Sequence, residues 1–335
     1  MKIESQFSLK PYNTFAIDSI AKYFASFKSA DELQELLEMN NTDRVMILGG
    51  GSNILLTNDF DGLVLKNDIG EIEIVIEEKN HVYVRAGAGV NWHAFVQFCI
   101  DRNFAGVENL SLIPGNVGAS PMQNIGAYGA ELKDVFHELE AFHPEDKTTE
   151  IFSANDCHFG YRESIFKNKY KDQFVILNVV FRLNKIPHFN TSYGAIEEEL
   201  RKMNIPKSIQ SISQAVINIR TSKLPDPKQI GNAGSFFKNP IVSANAFNAL
   251  KKDHPNAPGY PQEDGSVKLA AGWMIEQCGW KGFRKGDVGV HEKQALVLVN
   301  YGSAHGNEIY ELSQMIKQSV LENFEVDLER EVNII

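Results

Sequence analysis

The sequence predicts an α+β protein built from more than one domain. Its 335 residues exceed the size of one ordinary compact domain, which favours two or three lobes. The first two hundred residues contain mainly strand patterns with short helices and many turns between them. Strand and helix patterns alternate after about residue 213, where we expect a domain boundary.

The spacing of apolar residues predicts the early elements. A helical pattern follows Ser29, whose hydroxyl suits an N-cap, and it leads into the apolar strand RVMIL. In IEIVIEE the side chains of Ile72, Ile74 and Ile76 share one side, and HVYVRAG repeats the same alternation. We therefore expect two strands that each bury one face.

The later elements follow from the same patterns. We predict a helix at NWHAFVQFCIDRN, with Phe95, Phe98 and Cys99 on its apolar side, and a β-branched strand at QFVILNVVFRL. In the second half, strands are expected around Ser235 and at ALVLVN, and helices at SISQAVINIR, 243–252, 268–277 and GNEIYELSQMIKQSVLENF. The final strand-like FEVDLEREVNII fits either lobe.

The composition excludes several classes of protein. A content of 43% hydrophobic and 23% charged residues is typical of a globular chain and not of a disordered one. No apolar run approaches the roughly 20 residues that cross a bilayer, so we expect a cytoplasmic protein without membrane insertion. Cys99, Cys157 and Cys278 form no metal-ligand spacing, which predicts reduced thiols and no metal.

The net charge of −10 is unevenly distributed. It argues against general nucleic-acid binding, yet the segment from Arg220 to Lys293 carries 11 basic and 7 acidic residues, a local +4. Such a segment suits an anionic small-molecule substrate. Chance surface charge explains it equally well.

A first glycine-rich segment, GGGSN, directly follows a predicted strand. Glycines let backbone amides approach an anion, and Ser52 and Asn53 add side-chain donors, so the segment suits a phosphate nest. A tight turn is the competing interpretation. The segment is not a Rossmann fingerprint, because Ile54 stands where that motif needs glycine, and it is not a Walker loop.

A second glycine-rich segment spans residues 110–132. It combines four glycines with three side-chain amides, at Gly115, Gly118, Gly126, Gly129, Asn116, Gln123 and Asn124. Structural turns alone do not need so many. Together, the two segments predict a site for an extended dinucleotide, whose phosphates and polar ring system both need hydrogen bonds.

Six motifs, taken in order, resemble one known family. PYNTF, ILGGGSN, IPGNVGASPMQNIGAYG, FGYRESIFK, RTSKLPDPKQIGNAGSFFKNP and LEREV are similar to segments of the UDP-N-acetylenolpyruvoylglucosamine reductase family and cover nearly the whole chain. The resemblance implies an FAD-binding fold of the vanillyl-alcohol-oxidase type, with subdomains at 1–66 and 67–213. It also implies an α+β substrate-binding domain at 214–323 and a segment, 324–335, that returns to the active site.

The resemblance implies a two-stage reduction in peptidoglycan precursor synthesis, and thus a role in cell-wall biogenesis, cell shape and cell division. NADPH, the co-substrate, gives hydride to non-covalently bound FAD and leaves. UDP-N-acetylglucosamine enolpyruvate then takes the hydride at C3 and a proton at C2, which yields UDP-N-acetylmuramate. The expected partners are these small molecules and no nucleic acid; a monomer is favoured, although the sequence does not determine the oligomeric state.

Three residues match the family's catalytic positions: Arg162 in GYRES, Ser235 in GNAGSFF and Glu331 in LEREV. The permanent charge of Arg162 suits the substrate carboxylate as enolate charge develops. Ser235, held in a dry cleft, suits proton donation to C2. Glu331 would assist if it is protonated or hydrogen-bonded. Without the motifs, these residues predict an ion pair, a turn cap and a charged chain end.

Further matches concern the cofactor and the substrate. Tyr193 resembles the tyrosine of a mobile substrate-covering loop found in one family subtype. The substrate-binding residues that the resemblance implies are Tyr193, Lys223, Asn239 and Gln294. The implied FAD-binding residues are Gly49, Gly50, Gly51, Ser52, Asn53, Pro114, Gly115, Val117, Gly118, Gln123, Asn124, Gly126, Ala127, Tyr128 and Arg220.

Two departures from the family pattern are small. Gly50 stands where some relatives have an acidic residue, which leaves the backbone nest intact. Arg330 stands where proline is expected, which would loosen the approach to Glu331.

Two alternative functions stay open at this point. A fold-related FAD oxidase that uses dioxygen would not predict Arg162, Ser235 and Glu331 together, and no loop histidine is an obvious point of covalent attachment. A non-catalytic flavin- or nucleotide-sugar-binding protein would have no need to retain all three residue types.

Overall fold

The computed structural model describes residues 2–40 and 44–335, and these form two compact units. Unit 1 contains the described residues of Met1–Phe7, Ala21–Gly50 and Asp61–Ser222. Unit 2 contains Ser8–Ile20, Gly51–Phe60 and Lys223–Ile335. The predicted subdomain boundaries at residues 66, 213 and 323 stay predictions.

The elements are numbered in chain order within the described residues. The α-helices there are α1 (Ala30–Glu38), α2 (Trp92–Asp101), α3 (Gly194–Met203), α4 (Ile209–Lys223), α5 (Ala244–Asp253), α6 (Ala271–Gln277) and α7 (Gly306–Phe324). The strands are β1 (Glu4–Ser8), β2 (Ile20–Phe27), β3 (Val45–Leu48), β4 (Ile54–Leu55), β5 (Phe60–Asn67), β6 (Ile72–Glu77), β7 (His81–Gly87), β8 (Gly126–Ala127), β9 (Ala130–Glu131), β10 (Phe136–His143), β11 (Thr148–Ser153), β12 (Val175–Asn184), β13 (Gly231–Ser235), β14 (Ile241–Val242), β15 (Gly259–Pro261), β16 (Val267–Leu269), β17 (Arg284–Lys285), β18 (Val288–Val290), β19 (Val297–Asn300) and β20 (Asn333–Ile334). No described helix is both long enough and apolar enough to span a bilayer.

Unit 1 is built on two sheets. The first has the strand order β1-β2-β5-β3, and β3 runs parallel to β5. The second has the order β11-β10-β12-β7-β6, and its strands pair antiparallel. A shared apolar cluster that includes Phe27, Leu65 and Leu177 packs the sheets together. The predicted cap of α1 is confirmed, because Ser29 Oγ accepts the Glu32 N–H at 3.1 Å.

The core of unit 1 is aromatic. Phe95 and Cys99 of α2 are fully buried, as predicted, and the Phe95 ring packs on Phe181 of β12 with a centroid distance of 4.3 Å. The buried Trp92 donates its indole N–H to Leu110 O at 2.8 Å. All three cysteines are free thiols, and burial raises the pKa of Cys157 to about 12, so this thiol is protonated near neutral pH.

Strand β6 departs from the sequence prediction. Ile74 and Ile76 are 42% and 49% exposed, so the expected buried isoleucine face is wrong at these positions. Ile74 still pairs with the buried Val84 but lies on an edge strand, whereas a register shift after Ile74 pairs Ile76 with Tyr83. Such an irregularity breaks the alternation of side chains. In β7 the alternation holds, and Val82 and Val84 are buried.

Unit 2 contains a sheet of order β13-β19-β18-β17, against which α7 packs, and a small sheet of order β14-β16-β15. The C-terminal β20 pairs in parallel with β4. The predicted long helix is confirmed as α7. The helix predicted at 268–277 begins only at Ala271, because Val267–Leu269 forms β16 between two other strands.

The PYNTF segment belongs to unit 2. Asn13 fixes its turn, since its side chain donates to Leu9 O and Ile17 O and accepts the Ile17 N–H. Phe15 O accepts the Nδ2 hydrogen of Asn300 at 2.9 Å, which ties the segment to β19. The Phe15 ring meets Phe236 edge to face. The motif is therefore part of the framework that holds β13.

Two glycines, each the first residue of a helix, provide a test of how closely the helix starts pack against the rest of the fold. A Cβ on Gly306, the first residue of α7, would lie 1.8 Å from Leu56 O, whereas a Cβ on Gly194, the first residue of α3, has no atom within 4 Å. We predict that Gly306→Ala lowers the free energy of unfolding by about 2–4 kcal/mol because the backbone must shift. Gly194→Ala should stabilise by up to about 1 kcal/mol. Urea denaturation followed by circular dichroism compares the variants, and equal midpoints would contradict the prediction.

Candidate functional site

The two predicted glycine segments meet within unit 1. A Cβ on Gly50 would lie 2.8 Å from Gly115 Cα and 3.0 Å from Asn116 Oδ1. Gly115 has a φ of 113°, which residues with side chains rarely adopt. Asn116 fixes the contact by donating to Gly89 O at 2.9 Å. The result is a surface of bare backbone that leaves no room for side chains at the point of contact.

Part of the second segment is used for packing. The N–H groups of Val117 and Gly118 donate to Val90 O and Ala88 O at 2.8 and 3.0 Å. A Cβ on Gly118 would lie 2.5 Å from the Cβ of Ala88. These two amides are therefore occupied by the protein, and the glycine permits a close approach between two backbone segments.

Asn124 has a structural role that the sequence did not indicate. Its side chain is fully buried; Nδ2 donates to Gly160 O at 3.0 Å and to Glu131 Oε2 at 3.1 Å, and Oδ1 accepts the Lys133 N–H at 3.0 Å. Asn124 thus connects the β8–β9 hairpin to the turn that carries Arg162. Its side-chain atoms hold the fold of unit 1.

Arg162 occupies a strained position in a tight turn. Gly160 and Glu163 exchange main-chain hydrogen bonds of 3.0 and 3.2 Å across the turn, and Arg162 has a φ of 55°. A residue with a side chain pays about 1–2 kcal/mol for this left-handed conformation. The half-buried guanidinium donates from Nη2 to Gly126 O at 2.7 Å. The turn therefore places a permanent positive charge beside the second glycine segment.

Tyr128 and Tyr193 are brought together in unit 1. Tyr128 and Gly129 form the β8–β9 turn with φ values of 51° and 80°, as in a type I′ hairpin. The rings of Tyr128 and Tyr193 meet edge to face with a centroid distance of 5.2 Å. Asn109 donates to both Tyr128 O and Asn190 O at 2.9 Å, which fastens the segment before Tyr193 to the hairpin.

Arg220 is a buried cation in unit 1. It lies on α4, and its Nε is buried with no hydrogen-bond partner among the described residues. Burial lowers the pKa of the guanidinium. Burial and the nearby Arg220 charge also lower the pKa of His93. Leaving such a group unpaired is costly, so an electron-rich ligand atom would complete this site.

Ser235 ends β13 at an irregularity in the sheet of unit 2. The register between β13 and β19 shifts between Asn232 and Ser235, and Gly234 has a φ of 70° with open space where a Cβ would be. Ser235 is half-buried, and its Oγ makes no hydrogen bond to any described residue. The hydroxyl is therefore available to a ligand.

The main chain after Ser235 is fixed on both sides. The fully buried Phe236 donates its N–H to Leu296 O and accepts the Glu331 N–H, each at 2.8 Å. Lys238 N donates to Glu329 O at 2.9 Å, so residues 329–331 run antiparallel beside 236–238. The structure thus brings the main chains of Ser235 and Glu331 onto neighbouring strands.

Asn53, predicted to bind the cofactor, makes contact with the C-terminal segment. Its Nδ2 donates to Glu331 O at 3.2 Å, and its own carbonyl accepts both the main-chain and the side-chain N–H of Asn333 at 3.1 and 3.0 Å. The first glycine segment therefore also secures the segment that carries Glu331.

Two predicted substrate-binding amides converge on the start of α6. Asn239 Oδ1 accepts the Ala271 N–H at 3.0 Å, and Gln294 Oε1 would lie 3.3 Å from a Cβ on Gly272. Gln294 Oε1 also accepts the Leu296 N–H at 3.4 Å. In the described structure, the side-chain nitrogens of Asn239 and Gln294 donate to no protein atom. Both amides can therefore donate to an anion.

The three predicted catalytic residues belong to different units of the fold. Arg162 belongs to unit 1, whereas Ser235 and Glu331 belong to unit 2. Lys223 is exposed at the end of α4 and forms no ion pair with a described residue. No group of three or more His, Cys, Asp or Glu side chains within the described ranges could hold a metal.

Sequence reasoning missed the residues that support the site. Lys238 is buried, with a side chain only 7% exposed, and its Nζ lies 2.5 Å from Glu329 Oε1. Asn109 is likewise buried, and its side-chain amide donates to two main-chain carbonyls. The one signal for Lys238 was a lysine directly after two buried phenylalanines, and Asn109 had none.

Two family models match the chain. Residues 21–151 match "FAD binding domain", and residues 226–335 match "UDP-N-acetylenolpyruvoylglucosamine reductase, C-terminal domain". Three relatives named UDP-N-acetylenolpyruvoylglucosamine reductase are highly similar over their full lengths. The protein of Flavobacterium johnsoniae is 52% identical with 100% of both chains covered; that of Amoebophilus asiaticus is 50% identical with 100% of both covered; and that of Pseudomonas syringae pv. syringae is 48% identical with 100% and 99% covered.

A solved structure supports the fold. The crystal structure of UDP-N-acetylenolpyruvylglucosamine reductase from Thermus caldophilus superposes with a TM-score of 0.70 at 22% identity, over 100% of this chain and 99% of that one. The predicted α+β class, with an FAD-binding domain followed by a second domain, is confirmed, as is the prediction of an FAD-containing oxidoreductase. The chain belongs to the UDP-N-acetylenolpyruvoylglucosamine reductase family.

Proposed function

We propose that this protein reduces UDP-N-acetylglucosamine enolpyruvate to UDP-N-acetylmuramate, with FAD as cofactor and NADPH as the source of hydride. The observation that supports the proposal most directly lies at the end of β13. There, Ser235 presents a hydroxyl without a partner in the described structure, on the strand that neighbours Glu331. The relatives that share this chain's full length are named for reduction of the enolpyruvoyl sugar.

Two features of unit 1 fit FAD. The close contact between Gly50 and Gly115 brings the main chains of the two glycine segments together at half-buried positions, as a pyrophosphate nest requires, and the buried Nε of Arg220 lacks a protein acceptor among the described residues. FAD, when bound, supplies the capacity to accept and then donate a hydride. The two glycine segments, Tyr128 and Arg220 would hold it; Asn53, Asn124, Val117 and Gly118 would contribute by positioning backbone, because their polar groups already bond to the protein.

Ser235 is the proposed proton donor. Hydride adds to C3 of the substrate, and the electrons of the C2–C3 double bond move towards C2 and the adjoining carboxylate. The Ser235 hydroxyl gives its proton to C2 and regains one from water. Phe236 and Phe237, which follow Ser235 in the chain, are both fully buried and anchor the main chain that presents this hydroxyl.

Arg162 and Glu331 are proposed to act on the developing charge. The guanidinium of Arg162 is fixed by its turn and by the bond to Gly126 O, so it needs little reorganisation as charge accumulates on the substrate carboxylate. The main chain of Glu331 is fixed by Phe236 and Asn53, which fixes the point from which its side chain projects.

The nucleotide-sugar would be bound mainly by donors of unit 2. Lys223 and the side-chain NH2 groups of Asn239 and Gln294 have no protein acceptor in the described structure and suit the diphosphate or the pyruvyl carboxylate. Tyr193 would cover the bound sugar. We place the reaction in the cytoplasmic synthesis of peptidoglycan precursors and hence in cell-wall biogenesis, cell shape and cell division; a monomeric state stays a prediction.

The function is tested by anaerobic stopped-flow absorbance of the FAD-loaded protein, mixed first with NADPH and then with the enolpyruvyl sugar. Bleaching followed by recovery only on addition of the sugar supports both half-reactions. Recovery only on admission of air would indicate an oxidase. Absence of a flavin signal after reconstitution would support a binding protein and contradict the proposal.

We predict that Ser235→Ala retains FAD and is reduced normally by NADPH, but that flavin reoxidation by the sugar slows by about 10²–10⁴-fold because the proton donor is lost. Ser243→Ala, which removes the cap of α5, serves as the control and should reoxidise at the parent rate. Single-turnover absorbance measures both. Normal reoxidation in Ser235→Ala would remove this residue from the mechanism.

For Arg162 the informative change is Arg162→Lys, which keeps the charge and removes the planar fork. We expect reoxidation to slow by at least about 10²-fold, together with weaker substrate binding, since a lysine cannot reproduce preorganised bidentate contacts. The dependence of the single-turnover rate on sugar concentration separates the two effects. An unchanged rate and affinity would show that the guanidinium has no part in the reaction.

Arg220→Met is predicted to separate stability from cofactor binding. The cofactor-free variant should unfold at the same or a higher urea concentration, because the substitution removes a buried cation whose Nε has no hydrogen-bond partner among the described residues. FAD should bind about 10- to 100-fold more weakly, as expected for the loss of a charged hydrogen bond. Fluorescence titration measures the affinity, and parental affinity in Arg220→Met would contradict a contact with FAD.

A further inference from the structure

The side chain of Arg330 binds to one face of helix α7. Its Nε donates to Ser313 Oγ at 2.9 Å, its Nη2 donates to Gln314 Oε1 at 2.6 Å, and its guanidinium lies 4.7 Å from the centroid of the Tyr310 ring. These three partners are spaced at i, i+3 and i+4, so they share one face of the helix. A planar guanidinium held by two directed bonds and a ring has little freedom to rotate.

The partners of Arg330 are themselves fixed. Ser313 is fully buried and donates to Tyr310 O at 2.6 Å, while Gln314 Nε2 donates to the Tyr310 hydroxyl at 3.1 Å. Ile309 and Leu312, in the same turns of α7, are also buried. Arg330 is therefore attached to a rigid part of unit 2.

Successive side chains of the C-terminal segment point to different partners. Glu329 pairs with Lys238, Arg330 contacts α7, and the main chain of Glu331 bonds to Phe236. In an extended strand, neighbouring side chains point to opposite faces, so the rotation of the strand at Arg330 sets the direction of Glu331. The main-chain bonds fix the distance between this segment and β13, whereas the contacts of the Arg330 side chain with α7 fix the rotation.

We propose that Arg330 is a positioning residue for Glu331: its hydrogen bonds to Ser313 and Gln314 set the direction of the Glu331 carboxyl group. The inference rests on the proposed function, in which Glu331 acts on the substrate. It reverses the expectation from the sequence that Arg330 loosens the approach to Glu331, because the contacts with α7 were not visible there.

The test compares Arg330→Met, which keeps the apolar stem, with the parent FAD-loaded protein. Flavin reduction by NADPH should stay within about twofold, while reoxidation by the enolpyruvyl sugar slows by about 10-fold or more, since small displacements of a reacting group are costly. Combined with Glu331→Gln, Arg330→Met should cause no further slowing because it acts through the lost carboxylate. Parental reoxidation, or slowing that multiplies in the double variant, overturns the proposal.

A matched pair on α7 controls for general disturbance of the helix. Gln314→Ala removes one bond to Arg330 and should slow reoxidation in the same direction but less. Gln318→Ala, one turn further on, removes a bond to Glu322 and should leave reoxidation unchanged. Equal effects of the two substitutions would assign the loss to the helix and overturn the proposal.

Hydrogen–deuterium exchange separates this inference from the proposed function, because it needs no substrate. Arg330→Met should raise amide exchange in residues 329–331 by about 10-fold, as local opening becomes easier, and Gln318→Ala should not. Unchanged exchange overturns the anchoring role. If the enolpyruvyl sugar does not reoxidise the reduced flavin of the parent protein, the proposed function is overturned instead.

Discussion

The main-chain hydrogen bonds of Phe236 hold the site residues of unit 2 in place. Its N–H reaches Leu296 and its carbonyl accepts from Glu331, so three segments far apart in the chain meet at one buried residue. Burial of Phe236 against Phe15 and Phe237 keeps water from competing for these bonds. Ser235 directly precedes Phe236, so these bonds also fix the main chain that carries its half-buried hydroxyl.

Unit 1 solves a related problem with side-chain amides and strained turns. Arg162 and Tyr128 both stand in left-handed turns, and Asn124 and Asn109 tie those turns to their surroundings. Buried amides stabilise a fold when their polar atoms are bonded, and here the partners are main-chain carbonyls, the Lys133 N–H and the Glu131 carboxylate. The strain of the turns is therefore offset by contacts outside them.

The polar groups left over after this bonding are candidate ligand contacts. Within the described structure, Arg220 Nε, Ser235 Oγ and the amide nitrogens of Asn239 and Gln294 have no protein acceptor. The supporting residues differ, because the side-chain Nδ2 of Asn53 and both polar side-chain atoms of Asn124 are bonded to the protein. This contrast distinguishes positioning residues from candidate contact residues more clearly than their motifs do.

The sequence by itself determined the local features and the family: the cap of α1, the extent of α7, the glycine segments and the motif-borne residues Arg162, Ser235 and Glu331. These follow from neighbouring residues, whose periodicity and backbone preferences are local. Tertiary structure alone decided the exposure of Ile74, the strand before α6 and the partners of Asn53 and Arg330. Asn53 and Glu331 are 278 positions apart, and a hydrogen bond across that separation leaves no periodic trace in the sequence.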